Sequence, residues 1–223
     1  MGFLMSEYIT VKNEYADEIT EKKSRFIATI RHVENEEEAL AFIAEMKKKY
    51  WDARHNCSAY IVLEEGKELS GEKKIYKDIE KCSDDGEPSG TAGRPMLDIL
   101  QKEDLTNILC VVIRYFGGTL LGTGGLVRAY QSALKDSLDK SSFENESEAV
   151  IVKYRYAYNF DAKISSYLRE KKIKVLANEY SDMVEITIVL LKDIYSETDL
   201  RLTDITMGNI EKIDETICMY ALD

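Results

Sequence analysis

Apolar and polar positions along the chain fall into short runs with two different periods. Residues 8–11 and 24–33 carry the partial alternation and β-formers of strands, the second through Ser24-Arg25-Phe26-Ile27-Ala28-Thr29-Ile30-Arg31. Asn35 then precedes three glutamates, and Leu40, Ile43, Met46 and Tyr50 continue at helical spacing. An asparagine cap with carboxylates in the first turn offsets the positive end of a helix dipole, and Lys47, Lys48 and Lys49 suit its last turn. Asn56–Leu63 reads as a strand, residues 64–72 as a charged turn and 74–81 as a further strand. A helix over Met96–Lys102 has Pro95 at its start, and the continuous apolar run Asn107–Tyr115 predicts a buried strand. Leu126, Tyr130, Ala133 and Leu134 mark one face of a long helix ending near Lys140.

The polar, acidic stretch 141–149 separates this part from the remainder, so the division expected is 1–143 and 144–223. The second part reads as strand (149–158), helix (Phe160, Ile164, Tyr167 and Leu168 on one face) and two strands turning at Ser181-Asp182. A helix opened by the capping pattern Ser196-Glu197-Thr198-Asp199 and a last strand (210–220) follow. That order, β-α-β-β-α-β, predicts a four-stranded ferredoxin-like sheet with both helices on one face. The fold class expected is α/β, in the broad α+β sense, with two domains.

Composition narrows the function. The 223 residues hold 30 basic and 41 acidic side chains, a net charge of −11. The deficit is shared, at −6 up to Asn145 and −5 beyond it. Duplex-DNA binders draw most of their affinity from neutralising phosphates, so no duplex DNA is expected as partner. Cys57, Cys82, Cys110 and Cys218 form no C-x-x-C pair, which points to free thiols in a reducing cytoplasm. No apolar run reaches the ~20 residues that span a bilayer, Met1–Met5 is too short for a secretory signal, and no membrane partner is expected. Gly2 and Ser6 fit the short myristoylation pattern formally, a pattern often met by chance.

Glycine is concentrated. Eight of the twelve lie between Gly86 and Gly125, and both prolines, Pro88 and Pro95, fall in the same stretch. Such density implies tight turns or close approach of a partner to the backbone. The second cluster, Gly117 to Gly125, joins a buried strand to a helix, where free amides can hold an anion. Arg114 precedes it and Arg128 follows it. The loop lacks the Lys-Ser/Thr pair of a Walker motif and no ribose-binding acid can be placed for a dinucleotide site. Asp84, Asp85 and Glu87 crowd three carboxylates into four residues, suited either to a solvated turn or to acid/base or divalent-ion chemistry. His55 and Cys57 share a strand face, but no third orienting group can be named, so no catalytic residue is assigned. His55 is better read as a strand histidine packed near Trp51, its other possible role being a hydrogen bond that pins the 84–95 loop. Tyr115, Phe116 and Tyr130 beside the arginines suit either stacking on unpaired bases or core packing.

Three long blocks in this order resemble the signature of the YigZ/Impact family: Asp84-Asp85-Gly86-Glu87-Pro88-Ser89-Gly90-Thr91-Ala92-Gly93-Arg94-Pro95, Val111–Gly118 with Arg114-Tyr115-Phe116-Gly117-Gly118, and Leu121–Tyr130 with Gly122, Gly124, Gly125, Arg128 and Tyr130. Arg54-His55-x-Cys57-x-Ala59-Tyr60 matches a shorter upstream element. The resemblance implies an N-terminal domain like the second domain of ribosomal protein S5. It also implies a C-terminal ferredoxin-like domain similar to the last domain of elongation factor G. It further implies a translation-associated regulatory or binding protein whose partner is the ribosome, RNA or a translation factor; from the residues themselves no cofactor and no metal are expected. Candidate binding residues are Arg54, His55, Arg94, Arg114, Tyr115, Phe116, Gly117, Gly118, Gly122, Gly124, Gly125, Arg128 and Tyr130. The competing expectation is a phosphate-, nucleotide- or metal-dependent hydrolase using the 84–125 loops.

Overall fold

The structure, a computed structural model, describes residues 7–65 and 76–222. The readings placed on Gly2, Ser6 and much of the 64–75 segment lie outside them. The chain divides into two compact units, Met1–Glu144 and Asn145–Asp223.

The first unit contains strands β1 (Glu7–Val11), β2 (Tyr15–Glu21), β3 (Ser24–His32), β4 (His55–Glu65), β5 (Tyr76–Ser83) and β6 (Ile108–Tyr115). Its helices are α1 (Glu36–Lys49), α2 (Gly93–Lys102) and α3 (Thr123–Asp139). Five strands form an antiparallel sheet in the order β2-β3-β6-β4-β5. The central strand β6 is buried along almost its whole length because helices cover both sheet faces. Leu109, Val111 and Ile113 pack with Phe42 and Met46 of α1; Ile108, Cys110 and Val112 pack with Leu100 of α2 and Leu134 of α3. A continuous apolar run is more usual in parallel sheets. Here two-sided burial rather than strand direction dictates it.

Asn35 caps α1 as its sequence requires, its Oδ1 accepting from Glu38 N at 2.9 Å. The hairpin β2–β3 carried no sequence signal. Its turn residues Lys22 and Lys23 adopt positive φ, 45° and 68°, where Asn-Gly would be usual. β2 is an edge strand of which only Tyr15 and Ile19 pack on the core.

The second unit contains β7 (Phe143–Tyr156), α4 (Asp161–Glu170), β8 (Lys174–Tyr180), β9 (Val184–Leu191), α5 (Lys192–Ile205) and β10 (Ile210–Ala221). The strands pair in the order β10-β7-β9-β8, all antiparallel, which is the ferredoxin-like arrangement. Val152, Tyr154, Ile186 and Ile188 pack against Ile164, Leu168 and Leu202 of the two helices. The polar run 141–149 largely belongs to β7. The capping pattern at Ser196–Asp199 does not open α5, which begins at Lys192 directly after β9. Residues 192–195 contain no glycine or proline to delay it, so Thr198 is buried inside the helix and Asp199 Oδ1 accepts from Tyr154 Oη at 2.5 Å. Among the described residues no helix is long and apolar enough to cross a membrane.

Candidate functional site

The sequence blocks converge at one end of the first sheet. Antiparallel register sets His55 opposite Arg114 and Phe26 opposite the same Arg114. Alternation then directs His55, Cys57 and Arg114 to the face covered by α2 and α3. The loop between β5 and α2 folds over this end around its first carboxylate. Asp84 Oδ1 accepts from Ala92 N at 2.9 Å and Gly93 N at 2.8 Å, and Oδ2 accepts from Gly90 N at 2.7 Å. Burial alone raises the Asp84 pKa, but these three amides outweigh it and hold the carboxyl below its ordinary value. Asp85 Oδ2 accepts from Asn56 N at 2.8 Å, and its Oδ1 from Lys47 Nζ at 2.6 Å. Asp85 O lies 3.0 Å from His55 Nδ1, so the histidine does pin the loop.

The third carboxylate turns inward. Glu87 Oε1 accepts from Arg114 Nη1 at 2.6 Å and from Tyr130 Oη at 2.9 Å, and His55 Nε2 stands 4.0 Å away. Tyr130 is fully buried, meets Phe26 edge-on at 5.2 Å, and has its hydroxyl pKa pushed up by burial first and by Cys57 and Glu87 after it. Cys57 Sγ donates to Asp84 O at 2.9 Å and stands 3.3 Å from Tyr130 Oη. Burial raises its thiol to about 12.

The glycine loop is fixed from behind. Ser24 Oγ accepts from Gly117 N at 3.2 Å, and Arg114 Nη2 stands 3.5 Å from the same oxygen. A Cβ on Gly117 would lie 2.0 Å from the carbonyl carbon and oxygen of Lys23; one on Gly93 would lie 2.7 Å from Ser83 N. These two glycines serve close backbone packing. Gly86, Gly90, Gly118 and Gly122 have φ of 86°, 75°, 82° and 74°, which explains glycine there by turn geometry. Gly125 packs on Leu121, and Gly124 sits beside the Arg128 guanidinium. Pro88 O accepts from Thr91 N and Oγ1, and Pro95 is buried in the first turn of α2.

The predicted residues therefore separate into two sets. Arg114 was expected to pair with Arg128 as an anion contact. Instead its side chain is only 7% exposed and is spent on Glu87, because β6 points it into the layer beneath α3. Tyr130, expected either to stack or to pack, packs. Tyr115 is half-buried, its hydroxyl donating to Asp52 Oδ1 at 2.7 Å and its ring 5.5 Å beneath the Arg25 guanidinium. Arg94 pairs with Asp98 at 2.7 Å. Exposed are Arg54, Arg94, Phe116, Gly118, Gly122, Gly124 and Arg128. The three acids of the loop, suggested as ligands for hydrolytic chemistry, are each bonded within the protein, to amides, Lys47, Arg114 or Tyr130. Sequence reasoning missed Ser24 and Lys47, which lie outside the conspicuous motifs, and Trp51, read as a packing partner of His55, is 82% exposed.

Comparison with known proteins bears on the same residues. The Impact N-terminal domain model matches residues 22–138. The chain is 38% identical to the IMPACT family member YvyE of Bacillus subtilis (strain 168), over 96% of this chain and 97% of that one. It is 32% identical to the IMPACT family member YigZ of Escherichia coli (strain K12), over 85% and 89%. A solved structure described as that of a hypothetical protein is 28% identical, covers 99% of each chain and superposes with a TM-score of 0.60.

Proposed function

The chain belongs to the Impact family, and from that premise we propose that it is a translation-associated regulatory or binding protein acting on a ribosomal, RNA or translation-factor partner. The observation that carries this reading is how the signature residues are used. Glu87, Arg114, Tyr130, Cys57 and Asp84 are consumed in a buried scaffold. A thiol raised to about 12 and a tyrosine hydroxyl raised by burial are poor nucleophiles and bases at neutral pH. Beside the scaffold lies an exposed rim of Arg54, Phe116, the Gly118–Gly124 loop and Arg128. A buried support beside exposed arginine, aromatic and glycine groups suits recognition.

The test is sedimentation of cell lysate through a sucrose gradient at low and high salt, probing for this protein. Co-migration with ribosomal particles that salt removes supports an electrostatic, translation-linked role. Migration only at the top under both conditions overturns it.

A further inference from the structure

In a chain of net charge −11, about half of the described lysines and arginines meet a carboxylate. Arg25, Lys47, Lys81, Lys140, Lys153, Arg155, Lys192 and Lys212 all do. Four of those that do not are gathered along two adjoining recesses. A groove of about 400 Å³ between α2 and α3 is lined by Lys102, Arg128, Ser132 and Lys135, with Ile99 at its side. A second recess of about 240 Å³ shares Arg128 and Ser132 and continues to Lys22 at the β2–β3 turn. Among the described residues none of Lys22, Lys102, Arg128 and Lys135 makes an ion pair. The one carboxylate in the larger groove, Asp98, already binds Arg94, and Glu21 lines the smaller recess beside Lys22.

The sequence spacing builds the track. Arg128, Ser132 and Lys135 stand at i, i+4 and i+7 on α3, one face over about 10 Å of helix. Lys102 lies one turn beyond Asp98 on α2. Cations gathered in this way repel one another modestly in water, and an anion of matching extent bound along them relieves that repulsion.

We infer that this track, from Lys102 and Lys135 past Arg128 to Lys22, takes the phosphodiester backbone of RNA. Its donors are three ammonium groups, a guanidinium and a hydroxyl, the set that contacts phosphate oxygens. The lining contains no aromatic side chain, so bases are not stacked and contact is independent of sequence. An acidic protein helix laid in the same groove would need a buried anchor, and half-buried Ile99 is the one apolar side chain the larger groove offers. The inference deepens the translation-linked reading and rests on it for the identity of the polyanion.

The test uses the full chain and a fluorescently labelled 20-nucleotide oligouridylate, with anisotropy read across a salt series. The variant K102E/K135E is compared with K48E/K163E, which makes the same change in net charge away from the track. The wild type is expected to bind with a negative slope of log affinity against log salt. K102E/K135E should bind at least about tenfold more weakly with a slope shallower by about 1–2, and the control within about threefold of wild type. Equal losses in both variants, or no binding by the wild type at low salt, overturn the inference. So does competition by polyglutamate as effective as by unlabelled RNA, which assigns the track to an acidic protein. The sedimentation result is read separately. If the wild type leaves the ribosomal fractions but binds oligouridylate through the track, the function reading fails and the track stands. If it sediments with ribosomes and K102E/K135E does so equally, the track fails alone.

Discussion

Arg114 Nη1 donates to Glu87 Oε1 across 2.6 Å, and the two side chains are 7% and 3% exposed. The pair ties the 84–92 loop to the centre of the first sheet, with Tyr130 Oη on the same oxygen and the Phe26 and Phe116 rings 5.5 and 5.7 Å from the guanidinium. Removing one member leaves a buried charge unpaired, which costs about 3–5 kcal/mol. Arg114→Ala and Glu87→Ala should each lower the urea midpoint severely. Arg128→Ala, on the exposed face of α3, should change stability by no more than about 0.5 kcal/mol. Equal effects of Arg114→Ala and Arg128→Ala would contradict the buried pair.

Two adjacent glycines should respond differently to the same substitution. At Gly117 a methyl group would collide with the Lys23 backbone at 2.0 Å, so β6 and the β2–β3 turn must separate. At Gly118 the space is open and only the φ of 82° is unfavourable to alanine. Gly118→Ala should cost about 1 kcal/mol, and Gly117→Ala should prevent a cooperative native fold or cost several times as much. Thermal unfolding of the two variants under one condition decides it.

Asp84 makes stability depend on pH with a defined sign. Its folded pKa lies below the unfolded value because the amides of Gly90, Gly93 and Ala92 outweigh burial. A depressed pKa contributes stability that is present above about pH 4 and is lost as pH falls through the lower folded value. Glu36 and Glu185 are lowered too, each by side-chain bonds to cations. Asp84→Asn should therefore flatten the acid side of the stability curve without abolishing it. Urea midpoints from pH 6 to pH 2 for the variant and wild type measure the difference, and parallel curves would remove Asp84 from the account.

Much of the fold could be read from periodicity, and the failures have identifiable causes. α1 announced itself through Asn35 and its glutamates, and β6 through six apolar positions in a row. β2 did not, because an edge strand need alternate only Tyr15 and Ile19 against the core and its turn uses lysines where glycine is the signal. The start of α5 was misread because a local capping pattern at Ser196 competes with a longer helix that tertiary burial of Thr198 and Leu202 supports. The site was legible as a set of residues, and the direction each one faces was not. Whether Arg114 reaches solvent or Glu87 depends on strand register and on the loop closing over it, which no local pattern encodes.

The thiols offer an independent check on the scaffold. Cys57 and Cys110 are fully buried, with burial raising the first to about 12 and the second further. The thiolate is the reactive form, so neither should react with a disulfide reagent at pH 8 while the first unit is folded. Cys82, at the outer edge of β5, is exposed and should react first, though burial and Asp84 raise its pKa and slow it relative to a free thiol. In Glu87→Ala the loop over Cys57 loses its tie to Arg114, and Asp84 O need no longer cover Cys57 Sγ. Cys57 should then become reactive under native conditions, with Cys110, deep in the core, still protected. Mass spectrometry of the labelled cysteines in wild type and variant reads the outcome directly. Protection of Cys57 unchanged in Glu87→Ala would mean that the amides around Asp84, rather than the Glu87–Arg114 pair, hold the loop closed.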